Sequence, residues 1–200
     1  MTKRSIGILA LFVAISTFAC SSGTTPPPPA CDSTCEDSVA VRALRETIKQ
    51  VFNGSIQNMP VGPQDATYAC SPLGGTAHVS GTATSNADVG TTTVDLVYVF
   101  DHCRYLEVDT DADDNYDITV TGTIEETGTI AVQPGSTTAL SFTGDAIELT
   151  GTVYSPPLDY GGTLDAGPTP DGGVGCPVAL AQNGNQISGL LCGRSAGVSL

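Results

Sequence analysis

The sequence predicts a mainly β fold: a curved antiparallel meander of about eight strands with one N-terminal helix packed on it. Apolar residues recur at helical spacing over residues 35–52 and at every second position from residue 76 onward. Gly accounts for 23 of the 200 residues, which is typical of a chain with many tight turns. Charged residues make up only 14% and hydrophobic residues 40%, so the composition is not that of a highly charged, disordered chain.

The predicted helix runs over residues 35–52. Ser33 and Glu36 form a capping-box pair at its start, and residues 53–54, Asn-Gly, supply a stop. Its apolar stripe consists of Val41, Leu44, Ile48 and Val51. This amphipathic pattern predicts that one face of the helix packs on the sheet.

Three basic side chains, Arg42, Arg45 and Lys49, share another face of this helix. Two interpretations are open. The three cations form a contact patch for an acidic lipid or partner, or they form a solvated flank beside an acidic sheet. We favour the solvated flank, because charged stripes on amphipathic helices usually face water.

The strongest strand signal is the apolar run at residues 93–100, which predicts a central strand. Residues 118–124 and 147–153 alternate apolar residues with Thr or Glu, so each predicts a strand with one apolar face. None of the thirteen prolines falls inside a proposed strand, as a sheet interior requires.

Two turns are predicted between these segments. A two-residue turn at residues 144–145 sets Phe142 opposite Ile147, so that both contribute to the apolar face. A three-residue turn at residues 125–127 keeps the apolar residues of its two flanking strands on one face, which a two-residue turn would not.

A Thr-Gly-Thr motif recurs around Gly122, Gly128 and Gly151, and each glycine falls on the predicted apolar face. The missing side chains leave a shallow trough or let the sheet curl. We favour a trough filled by the helix. The alternative is a groove that carries an apolar ligand, similar in architecture to the half-barrel of bacterial lipoprotein carriers.

Six of the seven cysteines form an even set suited to disulfides in an oxidising compartment. Cys176 and Cys192 are equidistant from Gly184, so a three-residue hairpin loop centred there places them opposite each other. A hairpin centred near residue 87 brings Cys70 close to Cys103. These assignments leave Cys31 to pair with Cys35.

The first twenty residues have the features of an export signal. A positive start at Lys3 and Arg4 precedes an apolar run at residues 6–15, which is half of the roughly 20 residues that a membrane-spanning helix needs. Ala19 and Cys20 follow. This segment resembles a bacterial lipoprotein signal, in which the cysteine after the cleavage site carries the lipid, whereas ordinary cleavage and secretion is the alternative.

The resemblance implies a division of the chain into a signal peptide (1–19), a lipid-anchored Thr/Pro-rich linker (20–30) and one β-rich domain (31–200). Within the domain, residues 155–175 are predicted to form a flexible loop, because they are rich in Gly and Pro. In style the chain resembles uncharacterised envelope lipoproteins of Gram-negative bacteria. In that class Ser21 after the cysteine implies sorting to the outer membrane, with attachment through the lipid.

One acidic segment is a candidate calcium site. Its ligands would be alternate residues, as in the calcium loops of EF-hand and dockerin-like modules that it resembles. These are Asp109, Asp111, Asp113, Asn115 and Asp117. The segment departs from that pattern at Asp114, where those loops have Gly, and a solvated acidic loop is the alternative.

Other function classes find little support. A formal charge of -14 argues against nucleic acid, whose phosphates need clustered Lys and Arg. The two histidines, His78 and His102, are not accompanied by a Gly-x-Ser-x-Gly motif. We therefore predict a non-catalytic envelope or surface module, structural or binding, that calcium stabilises if the acidic segment binds it. A carrier of an apolar ligand is the second hypothesis, and an extracytoplasmic hydrolase is the third.

Overall fold

The structure is a computed structural model that describes residues 33–57, 59–107, 115–132, 137–155, 160–166 and 175–200. Within these ranges the chain forms one helix, α1 (Ser33–Ser55), and nine strands. The strands are β1 (Gly62–Ala69), β2 (Thr76–Asn86), β3 (Thr91–Glu107), β4 (Asn115–Ala131), β5 (Ala139–Ser155), β6 (Tyr160–Ala166), β7 (Cys176–Asn183), β8 (Gln186–Leu191) and β9 (Arg194–Ser199).

The strands form one open antiparallel sheet in the order β1-β2-β3-β4-β5-β7-β8-β9. Strand β5 has two partners on the same side: residues 139–147 pair with β7, and residues 149–155 pair with β6. The predicted antiparallel meander with one packed helix is confirmed.

The apolar stripe of α1 packs against one face of the sheet, which we call the inner face. Val41, Leu44, Ile48 and Val51 are at most 1% exposed, and they join one core with buried side chains from most of the strands. The predicted helix is confirmed and is slightly longer at both ends. Within the described part of the chain, no helix is both long enough and apolar enough to cross a membrane.

Both predicted turns on β4 and β5 are wrong, because each strand is continuous for 17 residues. Residues 144–145 belong to a β-bulge, where the register shifts between Gly144 and Ile147. The extra residue brings Phe142 and Ile147 to the same face without a reversal of the chain, and both are buried. In β4 the alternation simply continues through residues 125–127.

A second bulge lies on β3, between Phe100 and Cys103, directly beside the bulge region of the other strands. Phe100 and Cys103 are three residues apart, yet both are buried in the core. Such bulges increase the twist and bend of the strands, so they explain how long strands curve around one helix.

Two strands lie where none was expected. Strand β1 precedes residue 76, and β6 forms within the predicted flexible loop 155–175. The expectation that prolines avoid strands is also wrong, since Pro63 lies in β1 and Pro177 in β7. Pro63 is in an edge strand and Pro177 is the second residue of its strand, and both are positions where a missing N–H is tolerated.

The glycines of the Thr-Gly-Thr motif are needed for the conformation and close pairing of the strands more than for the packing of the helix. Gly122 and Gly128 have φ angles of 117° and 128°, which L side chains rarely adopt. A Cβ on either would lie 2.2 Å from a carbonyl oxygen of β5. The glycines therefore allow close, curved strand pairing, which revises the interpretation of a trough filled by the helix.

Two predicted disulfides are confirmed: Cys70–Cys103 and Cys176–Cys192, with Cα atoms 5.4 and 4.8 Å apart. The predicted three-residue loop around Gly184 is wrong, because Asn183 pairs with Gln186 across a two-residue turn. Cys192 instead lies in the next turn, between β8 and β9, which still brings it within reach of Cys176.

The third pairing lies partly outside the described residues. Cys35 is disulfide-bonded, and its predicted partner Cys31 falls in the part of the chain that the structure does not describe. The same holds for the signal peptide, Cys20, the linker 20–30 and the side chain of Ser33.

Candidate functional site

The predicted calcium ligands divide between β4 and the undescribed residues. Asp109, Asp111 and Asp113 fall outside the described ranges, whereas Asn115 and Asp117 lie in β4. The side chain of Asn115 is buried. The described residues contain no group of three or more His, Cys, Asp or Glu side chains able to hold a metal. Calcium binding therefore remains a prediction for residues 109–117.

Asp117 already has a cationic partner. The guanidinium of Arg104 on β3 donates one hydrogen bond from Nε to Oδ1, at 2.6 Å, and a second from the terminal nitrogen to Oδ2. These bonds hold the pKa of the Asp117 carboxyl below its ordinary value. A cation at this carboxylate would have to share it with Arg104.

Both histidines are paired with an aspartate at the surface. His78 Nε2 is 2.8 Å from Oδ1 of Asp65, and His102 Nδ1 is 2.6 Å from Oδ1 of Asp101. Among the described side chains, neither imidazole is hydrogen-bonded to a Ser, Thr or Cys that could act as nucleophile. The side chain of His78 in β2 is exposed.

The described residues do form a cleft between α1 and the sheet, with a volume of about 430 Å³. Its walls carry three basic and two acidic side chains, together with polar and apolar ones. The lining residues are Arg42, Arg45, Glu46, Lys49, Glu107, Tyr116, Gln182 and Leu200. We call this the helix–sheet cleft.

The helix cations face this cleft, which revises the preferred interpretation of a solvated flank. Arg45 Nε donates to Oε1 of Gln182 at 2.7 Å, and its guanidinium carbon lies 5.7 Å from the centre of the Phe142 ring. Arg42 donates to the carbonyl oxygen of Ser199 on β9. Lys49 is the most exposed of the three and pairs with Glu46. Only Lys49 therefore behaves as the solvated flank predicts.

Beside Arg45, a carboxyl group is buried in the core. Tyr98 Oη on β3 donates to Oε2 of Glu126 on β4 at 2.6 Å, and both residues are at most 1% exposed. Burial raises the pKa of Glu126, which the hydrogen bond from Tyr98 and the charge of Arg45 oppose. Sequence reasoning placed Glu126 in a turn. Its even position, in step with Ile118, Val120 and Ile124, was the signal that it faces the core.

A second buried tyrosine lies on β4 at the cleft. Tyr116 is 0% exposed, and its hydroxyl has no hydrogen-bond partner among the described residues. Burial raises the pKa of this hydroxyl well above its ordinary value, with smaller contributions from nearby charges that include Glu107 and Glu46. Tyr116 therefore stays protonated and able to donate a hydrogen bond.

Comparisons with known proteins found no match: no family model, no curated protein and no solved structure resembles the chain significantly. Its function is therefore inferred from its own residues. Two features of the described chain bear on it: a core filled by α1 and a polar cleft beside that helix.

Proposed function

We propose that this protein is a non-catalytic binding module of the bacterial envelope, exported and anchored by a lipid on Cys20. The observation that carries the proposal is the packing of α1 on the inner face of the sheet. The helix buries the apolar residues of that face, and the polar helix–sheet cleft beside it offers a place for a ligand.

The disulfides support the export part of this proposal. Cys70–Cys103 and Cys176–Cys192 are both formed within the domain, and such bonds form and persist in oxidising compartments outside the cytoplasm. Lipid attachment and outer-membrane sorting are the finer part of the proposal, and they rest on the likeness of residues 1–20 to a lipoprotein signal.

The filled inner face weighs against a carrier of an apolar ligand. Such a carrier needs an apolar cavity, whereas the helix residues Leu44 and Ile48 occupy the core at 1% exposure each. The exposed His–Asp pairs give no specific support to a hydrolase. A stabilising calcium ion at residues 109–117 is compatible with the proposed module and forms a separate prediction.

The anchor is tested by expressing the chain in a Gram-negative host that is fed an alkyne-labelled fatty acid. We expect wild-type protein to incorporate the label and to sediment with outer membranes. Cys20→Ala should abolish both while the domain still folds, since Cys20 precedes the domain. Cys35→Ala is the matched control and should keep the label. An unlabelled wild-type protein in the soluble fraction would contradict lipid anchoring.

A further inference from the structure

The side chains that line the helix–sheet cleft include more cations than anions, although the whole chain is acidic. The full sequence carries a formal charge of -14, with seven basic residues in total. Three of these seven, Arg42, Arg45 and Lys49, line one cleft with two acids, Glu46 and Glu107. Most of the protein surface repels an anion, whereas the basic side chains in the cleft attract it. An anionic group is therefore favoured at the cleft over other parts of the surface.

The hydroxyl of Tyr116 is the second, independent feature. It is fully buried and lacks a hydrogen-bond partner in the described chain, whereas most buried polar groups in proteins are hydrogen-bonded. Tyr116 is itself one of the residues that line the cleft, together with Glu46, Glu107 and Arg42. Its hydroxyl is thus a buried donor next to the cleft, and a ligand acceptor that reaches it would satisfy it.

We infer that the helix–sheet cleft binds the carboxylate of a small organic acid, with Tyr116 donating a hydrogen bond and the helix cations supplying positive charge. The inference rests on the proposed binding role but not on the lipid anchor. Guanidinium groups match the planar geometry of a carboxylate. The two acids at the cleft disfavour a more highly charged phosphate, and Leu200 with the Tyr116 ring offers an apolar wall to the remainder of the acid.

The test is a titration of the purified, disulfide-bonded full chain, in which binding is measured by calorimetry and by ligand-observed NMR. Sodium hexanoate is the probe, while hexanol and inorganic phosphate are compared at matched ionic strength. We expect saturable binding of hexanoate and none of hexanol or phosphate. Hexanol has the same chain without the carboxylate, so it separates carboxylate recognition from simple apolar binding.

The variants assign the binding to the cleft. Tyr116→Phe should weaken hexanoate binding about tenfold or more, as expected for a lost hydrogen bond to a charged group. Tyr68→Phe is the matched control, because Tyr68 lies on β1 and is not among the residues that line the cleft. It should bind hexanoate within about twofold of wild type, since no hydrogen bond to the ligand is removed.

Three results would overturn the inference: no saturable hexanoate binding, equal binding of hexanol or phosphate, or unchanged affinity in Tyr116→Phe. Each of them leaves the fatty-acid labelling of Cys20 unaffected, because labelling reports the anchor and titration reports the cleft. Failure of this ligand class and failure of the anchored module are therefore distinguishable.

Discussion

Replacing Tyr98 and Tyr116 one at a time by Phe changes the same atom at two fully buried positions. The two tyrosines lie on the neighbouring strands β3 and β4, and both are 0% exposed. They differ in the hydrogen bonding of the hydroxyl. The hydroxyl of Tyr98 donates to Glu126 at 2.6 Å, whereas that of Tyr116 has no partner among the described residues. We expect the two substitutions to change stability in opposite directions.

The magnitudes follow from these contacts. Tyr98→Phe removes a hydrogen bond to a carboxyl group and leaves that group buried without its donor, which should lower the free energy of unfolding by about 2–3 kcal/mol. Tyr116→Phe removes a buried hydroxyl that makes no hydrogen bond, which should raise it by about 1 kcal/mol. For a chain of this size the thermal midpoints should move by about 4–12 °C downward for Tyr98→Phe and by about 2–4 °C upward for Tyr116→Phe.

The assay is urea unfolding of the oxidised protein at pH 7, with thermal melts as a second measurement. Tyr105→Phe serves as the control, because its hydroxyl bond to Glu107 is 3.0 Å long and only half-buried, so its effect should be small. An unchanged slope of the unfolding free energy against urea concentration would show that the variants and the wild type expose similar surface on unfolding. If Tyr116→Phe instead lowered the free energy of unfolding by about 1 kcal/mol or more, this would refute the reasoning that the Tyr116 hydroxyl is unsatisfied in the unliganded protein.

Four further outcomes are expected. Burial raises the pKa of Glu126 above its ordinary 4.5, so wild-type stability should fall as the pH rises through the interval above 4.5, and urea melts of Glu126→Gln should lack this fall. Replacing Cys70 and Cys103 together by Ser opens a loop with a sequence separation of 33, which should lower unfolding free energy by about 3–4 kcal/mol in denaturant melts. Gly128→Ala should lose at least about 2 kcal/mol in the same melts, because its φ is 128° and a carbonyl oxygen of β5 lies close. Millimolar calcium should raise the thermal midpoint, because a ligand at a hundredfold excess over its dissociation constant stabilises the folded state by about 2.7 kcal/mol. Asp111→Ala should abolish this shift. Equal midpoints in calcium and in chelator would mean that residues 109–117 form a solvated loop.

The broad fold was predictable because it depends on local periodicity. The 3.6-residue spacing of Val41, Leu44 and Ile48 and the two-residue alternation along β4 each reflect which side chains face the core. Disulfide pairing followed from position, since Cys176 and Cys192 flank a hairpin. These features need no knowledge of distant parts of the chain.

The bulges were not predictable from spacing, and they account for the errors on β5. A pair of apolar residues with an odd separation, such as Phe142 and Ile147, can share one face through either a turn or a bulge. The choice is made by strands β4 and β7, which pair with β5 on both sides of the bulge. The sequence pattern of β5 alone does not contain that information.

The cleft was missed for a related reason. Arg42 and Arg45 have the positions of a solvated stripe on the helix, but Gln182 and Ser199, more than 130 residues away, supply their partners. Tyr116 lies within the acidic segment 109–117, and its even position places it on the inner face with Ile118. Contacts between the first element and the last strands cannot be deduced from spacing within either.

The packing of α1 on the C-terminal strands also determines the order in which the parts of the fold can form during synthesis. Ser38 donates to the carbonyl oxygen of Gly197, and Asp37 pairs with Arg194, so the helix rests on β9. A chain that emerges N-terminus first presents the helix before any strand, whereas β9 emerges last. Each hairpin can form as its second strand appears, but the apolar stripe of α1 stays without its final cover until residues 194–199 arrive. During synthesis or export this stripe is thus the surface that a holding chaperone has the longest time to bind.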